Sequence, residues 1–155
     1  MHKPEQLKVK RLFWAGPLTV IGSVVTVLFI RIVAMAILKP DPKFEPFTVG
    51  PPTFDTVVAA TCAVLVFLAT ARYSLEPIGD YRALAAKVLV LSFVPDIALA
   101  LLHGFGGGWS EALALMVMHV AVWAICVTLL PALTMTGGRT DSATPPLPHN
   151  RYGRG

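Results

Sequence analysis

The chain has 155 residues, of which 55% are hydrophobic and 14% charged, with 13 Lys and Arg against 9 Asp and Glu. Soluble domains usually carry about 25% charged residues, so the polar groups here are too few to coat a water-soluble globule, and lipid is the expected solvent for most of the chain. The net charge of +4 does not point to nucleic acid as a partner, because the basic residues flank apolar runs, as membrane topology requires.

Residues 1–11 form a basic cytoplasmic leader with Lys3, Lys8, Lys10 and Arg11. Four apolar stretches follow, at 12–38, 53–71, 83–102 and 112–133. A helix rising about 1.5 Å per residue needs roughly 20 of them to cross a hydrocarbon core about 30 Å thick, and each stretch meets or nearly meets that length. Helices are expected rather than strands, since no alternating ten-residue runs occur and backbone groups in hydrocarbon must be satisfied within their own segment. The first stretch is too long for a signal-peptide core of about 7 to 15 residues and contains Arg31, so it reads as a retained helix. Gly16-Pro17 is placed in its first turn, where the missing N–H of proline does no harm.

Between helices one and two lie five prolines, Pro40, Pro42, Pro46, Pro51 and Pro52, which predict an extended, stiff outer connection with Phe44 and Phe47 at the lipid interface. Asp55 is assigned to the first turn of helix two as a cap at the positive end of the helix dipole. The inner connection 74–82 carries Glu76-Pro77 and Gly79-Asp80, a turn composition that makes helices two and three antiparallel neighbours. The glycine-rich run 104–109 is a flexible outer turn and no phosphate loop, because it lacks the preceding strand and the Lys-Ser/Thr ending. Residues 135–155 are rich in Pro, Gly, Ser and Thr and are expected to be a disordered cytoplasmic tail.

Charge placement orients the spans. Ten Lys and Arg lie in the leader, around the second connection (Arg72, Arg82, Lys87) and in the tail (Arg139, Arg151, Arg154), against two, Lys39 and Lys43, in the outer connections. The positive-inside rule then puts both termini in the cytoplasm. The expected fold is all-α, a four-helix transmembrane bundle with N-in/C-in topology and one domain over 12–134. Small residues at Gly16, Thr19, Ser23 and Thr26, and at Thr56, Ala59, Ala60 and Ala63, supply stripes on which membrane helices approach closely.

Chemistry, if there is any, resides in the ionisable residues inside the spans: Arg31, Asp96 and His119. Counted from the middle of each stretch, Asp96 and His119 lie about 5 Å and Arg31 about 9 Å toward the outer face. An Asp at a helix centre costs about 2.5 to 3.5 kcal/mol on insertion scales, which a partner at equal depth relieves. Pro95 leaves the Leu91 carbonyl without its helical donor, predicting a helix kink beside Asp96, with Ser92 one turn earlier on the same face. Met116, His119, Trp123 and Cys126 share a face of helix four that sets His119 opposite Asp96. The cluster of Arg31, Ser92, Asp96 and His119 admits two readings. It is a structural lock that fixes helix register, or a proton-handling pair with Arg31 as counter-ion or anion ligand. No catalytic residue is assigned. Cys62 and Cys126 both fall inside spans without a Cys-x-x-Cys pattern and read as packing residues. No cofactor and no metal are expected, because three well-spaced zinc ligands are lacking and His103 and His119 differ in depth by more than a turn, unsuited to bis-His haem.

Leu12-Phe13-Trp14-Ala15-Gly16-Pro17, the proline-rich connection, Ser92-Phe93-Val94-Pro95-Asp96 and Leu115-Met116-Val117-Met118-His119 resemble a family of small four-helix bacterial membrane proteins catalogued as a domain of unknown function. The resemblance covers about 12–134 and implies a multi-pass protein of the bacterial cytoplasmic (inner) membrane, with no activity or cofactor to carry over. The functional expectation is a non-enzymatic structural, accessory or small-ligand-binding membrane component; the alternative is a proton- or anion-coupled transport component using Asp96 and His119. Its partners are the lipid bilayer and, compatible with so small a bundle, a second copy or a larger membrane complex.

Overall fold

Four helices, α1 (Val9–Leu38), α2 (Gly50–Tyr73), α3 (Pro77–Leu101) and α4 (Trp109–Thr134), make up most of the structure, a computed structural model that describes residues 6–7, 9–40, 44–103 and 107–136. A 3-10 turn (Glu45–Phe47) separates α1 from α2, and the two-residue strands β1 (Gln6–Leu7) and β2 (Met135–Thr136) pair antiparallel, Leu7 opposite Met135. The expectations for Lys3, Lys8 and Lys43, for Gly104, Phe105 and Gly106, and for the tail from 137 onward lie outside the described residues.

At 30, 24, 25 and 26 residues the helices measure roughly 36 to 45 Å, and all four are long and apolar enough to cross a membrane. Their outward faces suit that solvent: Phe29 is 64% exposed, Val90 68% and Leu91 68%. Such a continuous apolar exterior belongs against acyl chains. Each helix packs on its sequence neighbours and α1 on α4, with α1 and α4 sharing the largest interface and α2 and α4 meeting less across the diagonal. The result is an up-and-down bundle. The α1 side of the large interface is a ridge of mostly small residues, Ala15, Thr19, Ser23 and Val27, all buried, at the spacing that keeps one helix face against a neighbour. Thr19 donates its hydroxyl to the Ala15 carbonyl at 2.7 Å, so this face approaches α4 without an orphaned donor at that position.

The helices start earlier than hydropathy suggests. Proline at the first positions of α2 and α3 (Pro51, Pro52, Pro77) needs no N–H partner and continues the helix inward, so α2 begins at Gly50 rather than 53 and α3 at Pro77 rather than 83. Asp55 therefore sits beyond the first turn of α2 and is not its cap, correcting that assignment. Pro17 is likewise interior to α1, which begins at Val9, and not in its first turn. At the other end of the chain Met135 and Thr136, assigned to the disordered tail, are instead paired with β1, and Met135 is buried.

The connection between α1 and α2 is no extended lipid-facing loop. Phe44 and Phe47 are each 2% exposed and meet edge-to-face at 5.0 Å, packed with Val27, Ala34 and Met118 in a core cluster. Burial of two aromatic rings outweighs the stiffness of the surrounding prolines, so the segment folds back over the end of the bundle where α1 stops and α2 begins. Gly107 lies against Phe44 so closely that a Cβ there would overlap the ring. Two helices terminate at that end of the bundle on residues in the left-handed region, Lys39 (φ 47°) after α1 and His103 (φ 50°) after α3.

Candidate functional site

Asp96 on α3 and His119 on α4 stand level with one another, with His119 Nδ1 3.3 Å from Asp96 Oδ2. Asp96 is 6% exposed. Nδ1 also lies 3.1 Å from the Leu115 carbonyl oxygen. A carbonyl can only accept, so Nδ1 carries a hydrogen that donates to Leu115, and in the neutral ring Nε2 keeps its lone pair. Asp96 Oδ2 is accordingly buried with no hydrogen bond from the described residues. The His–Asp approach is close enough for an ion pair when the imidazole is protonated, but the N–H is aimed along its own helix. We read the contact as a charge poised beside a ring rather than as a closed hydrogen bond.

The pair opens onto a cavity of about 440 Å³ between α2, α3 and α4. Its α2 wall runs from Pro51 to Val66, roughly 22 Å of helix, and is built largely of small residues, Ala59, Cys62 and Ala63 among them. The back wall is the α4 face Leu115, Met118, His119, Val122, Trp123 and Cys126. Met116 is not part of it, so the face is turned slightly from the one expected; buried Met118 and Cys126, with partly buried Val122 between them, recur every four residues and set it. Volume and apolar lining with a few polar groups are those of a small-molecule site.

Other sequence candidates divide. Ser92 lines the cavity one turn inward of Asp96, but its hydroxyl donates to the Leu89 carbonyl at 2.7 Å and not to the carboxylate. Pro95 lines it too, within an α3 that remains helical across the proline. Arg31 does not belong: its Nε donates to the Phe47 carbonyl at 2.6 Å, it takes no part in the cavity wall, and no ion pair joins it to a carboxylate among the described residues. The counter-ion role is therefore corrected. A long side chain seven residues from the end of its helix reaches the folded-back connection, where a backbone carbonyl accepts its charge without drawing the guanidinium deeper. His103 is exposed in the turn after α3 and is not among the cavity's lining residues.

Three groups were missed as site residues. Asp55 lines the outer part of the cavity, and an acid inside an apolar helix past its first turn was the available signal. Tyr81 is 1% exposed, packed edge-to-face on Phe67 at 5.0 Å, with its hydroxyl unpartnered among the described residues. Trp123 Nε1 is also buried without an acceptor among the described residues. Nothing local distinguishes these two from core aromatics in a sequence. Among the described residues no group of three His, Cys, Asp or Glu is arranged to hold a metal ion.

Against known proteins the chain gives no match to a family model, to a curated protein or to a solved structure. The likeness noted on 12–17, the proline-rich connection, 92–96 and 115–119 thus rests on those residues alone.

Proposed function

We propose that this chain is a multi-pass protein of the bacterial cytoplasmic membrane that holds a small ligand in the groove between α2, α3 and α4 and catalyses no reaction. The observation that carries the reading is Asp96, which lines a cavity of about 440 Å³ and whose buried Oδ2 has no hydrogen-bond partner among the described residues. A buried polar atom without a partner is disfavoured by about 1 to 3 kcal/mol, more when charged, and a lock alone would have closed it with a donor. Both termini face the cytoplasm in this reading, on the strength of the ten-to-two distribution of Lys and Arg. The likeness to the uncharacterised four-helix family agrees with it. Native mass spectrometry of protein released from nanodiscs tests the reading: a small-molecule adduct is expected on the wild type and absent from Ala63→Phe, whose ring fills the groove. An adduct of equal occupancy in both proteins rejects it.

A second reading, proton-coupled transport, draws on the 3.3 Å approach of His119 to Asp96, since an imidazole beside a carboxylate is a proton-exchanging unit near neutral pH. Anion coupling fits less well, because Arg31 is engaged by Phe47 and the cavity wall holds Asp55 and Asp96. Flux of protons into liposomes that is unchanged by Asp96→Asn would eliminate the transport reading.

A further inference from the structure

The acids and the imidazole that line the groove offer it negative charge and a lone pair, while Tyr81 and Trp123, whose hydroxyl and Nε1–H have no partner among the described residues, add neutral donors to its wall. Asp55 and Asp96 are carboxylates, and His119 in its neutral form offers the lone pair of Nε2, because Nδ1–H is committed to Leu115. No Lys or Arg lines the cavity among the described residues. Two carboxylates and no fixed cation select a ligand that carries positive charge and donates hydrogen bonds to them, while the remaining wall, with Ala59, Ala63, Val88 and Leu99, selects an apolar body. Asp96 adds the independent indication: it is more than nine-tenths buried, borders the cavity, and its Oδ2 receives no donor from the described residues.

We infer that the groove binds lipophilic amines in their ammonium form, with the N–H donors directed at Asp96 Oδ2 and His119 Nε2, Asp55 supplying a second negative charge at the outer end, and the hydrocarbon lying along α2 toward Trp123. This rests on the ligand-binding reading above and names its substrate class. A charge-assisted hydrogen bond in a site shielded from water is about twice as strong as a neutral one. An ammonium ion held under two carboxylates is stabilised further by their field. The same argument excludes carboxylic acids, which would bring a third negative charge. It also disfavours phosphatidylethanolamine as the source of the ammonium group, since its phosphate would sit beside the same acids with no cation to meet it.

The test is equilibrium dialysis of the full-length protein in phosphatidylcholine nanodiscs against three probes of one shape, 1-naphthylmethylamine, 1-naphthylmethanol and 1-naphthoic acid, with empty nanodiscs subtracted. The amine is expected to bind at least about tenfold more tightly than the alcohol, the value of one charge-assisted hydrogen bond, and the acid not measurably. Asp96→Asn should remove that preference while leaving alcohol binding within about twofold, and Asp96→Glu should restore part of it. Asp55→Asn, at an exposed position of the groove's outer end, should weaken the amine by a smaller factor and guards against a folding defect at Asp96. Added phosphatidylethanolamine should leave amine binding unchanged. Competition by that lipid instead would overturn the assignment to free amines. Binding of amine and alcohol alike, blocked by Ala63→Phe, overturns the amine class and leaves the groove a binding site. Absence of binding by all three probes overturns the amine class and, where the wild type also carries no adduct, the ligand-binding reading with it.

Discussion

Replacing Arg31 with Met separates an anchor for the outer connection from a counter-ion for the buried acid. Met keeps most of the apolar stem and removes the donor to the Phe47 carbonyl. A hydrogen bond from a charged group contributes about 1.5 to 3 kcal/mol. The opposing term is relief from holding a cation near hydrocarbon, about 2.5 to 3.5 kcal/mol at a span's centre on insertion scales. That relief largely cancels here, because helices that separate within a membrane remain inserted and Arg31 stays at the same depth in both states. Its position seven residues before Leu38, roughly 10 Å from the helix end, shrinks the term again. The hydrogen bond wins, and Arg31→Met should destabilise the bundle by about 1 to 2 kcal/mol, read by reversible unfolding in mixed micelles. The double-mutant cycle with Asp96→Asn decides between the roles. Independent sites add within about 0.3 to 0.5 kcal/mol, and that is the coupling expected. Coupling above about 1 kcal/mol, or an Arg31→Met bundle as stable as the wild type, would refute the anchor argument.

Three further substitutions test packing by the same unfolding assay. Gly107→Ala sets a Cβ into the ring of Phe44, which is 2% exposed and held against Phe47, and overpacking of this kind should cost about 1 to 3 kcal/mol, recovered in part when Phe44→Leu is added; no loss would mean the ring moves freely. Tyr81→Phe removes a buried hydroxyl with no partner while keeping the ring on Phe67, so stability should hold or rise by up to about 1 kcal/mol, and a clear fall would show that the hydroxyl is bonded. His103→Gly relieves a left-handed backbone at φ 50° and should stabilise by up to about 1 kcal/mol, whereas a loss would mean the imidazole has a partner in the outer turn.

The spans were legible because a run of about 20 apolar residues has few folded alternatives. The juxtaposition of Asp96 and His119 followed from counting depth along two antiparallel helices. Phe44 and Phe47 were misplaced because five nearby prolines report only local stiffness, while the burial that recruits the rings is a long-range contact with Val27, Ala34 and Met118. Arg31 escaped for a different reason. A side chain that long samples several partners from one backbone position, and spacing fixes only the backbone. Asp55 was masked by the proline start of α2: an apparent helix start at 53 made the acid look like a cap, and moving it to Gly50 by three residues sends the carboxylate to the groove instead.

Why the groove stays open at all follows from where large and small side chains fall on α2 and α3. Ala59 and Ala63 on one helix and Ala85 on the other would let the backbones close, as small residues do between membrane helices. Near the inner end, however, Phe67 of α2 and Tyr81 of α3 are both fully buried and stacked edge-on at 5.0 Å, which sets the two helices at a ring's separation before the alanines begin. At the outer end Pro46, Pro51 and Pro52 border the cavity, and proline at the start of α2 commits the chain to enter along a fixed direction. With both ends propped, the alanines face each other across space that α4 lines from behind with Trp123 and His119. The aromatic spacer therefore makes the space and the acids give it a sign. Shrinking the spacer, as Phe67→Ala would, should close the groove from the inner end even though every polar group that faces it is retained.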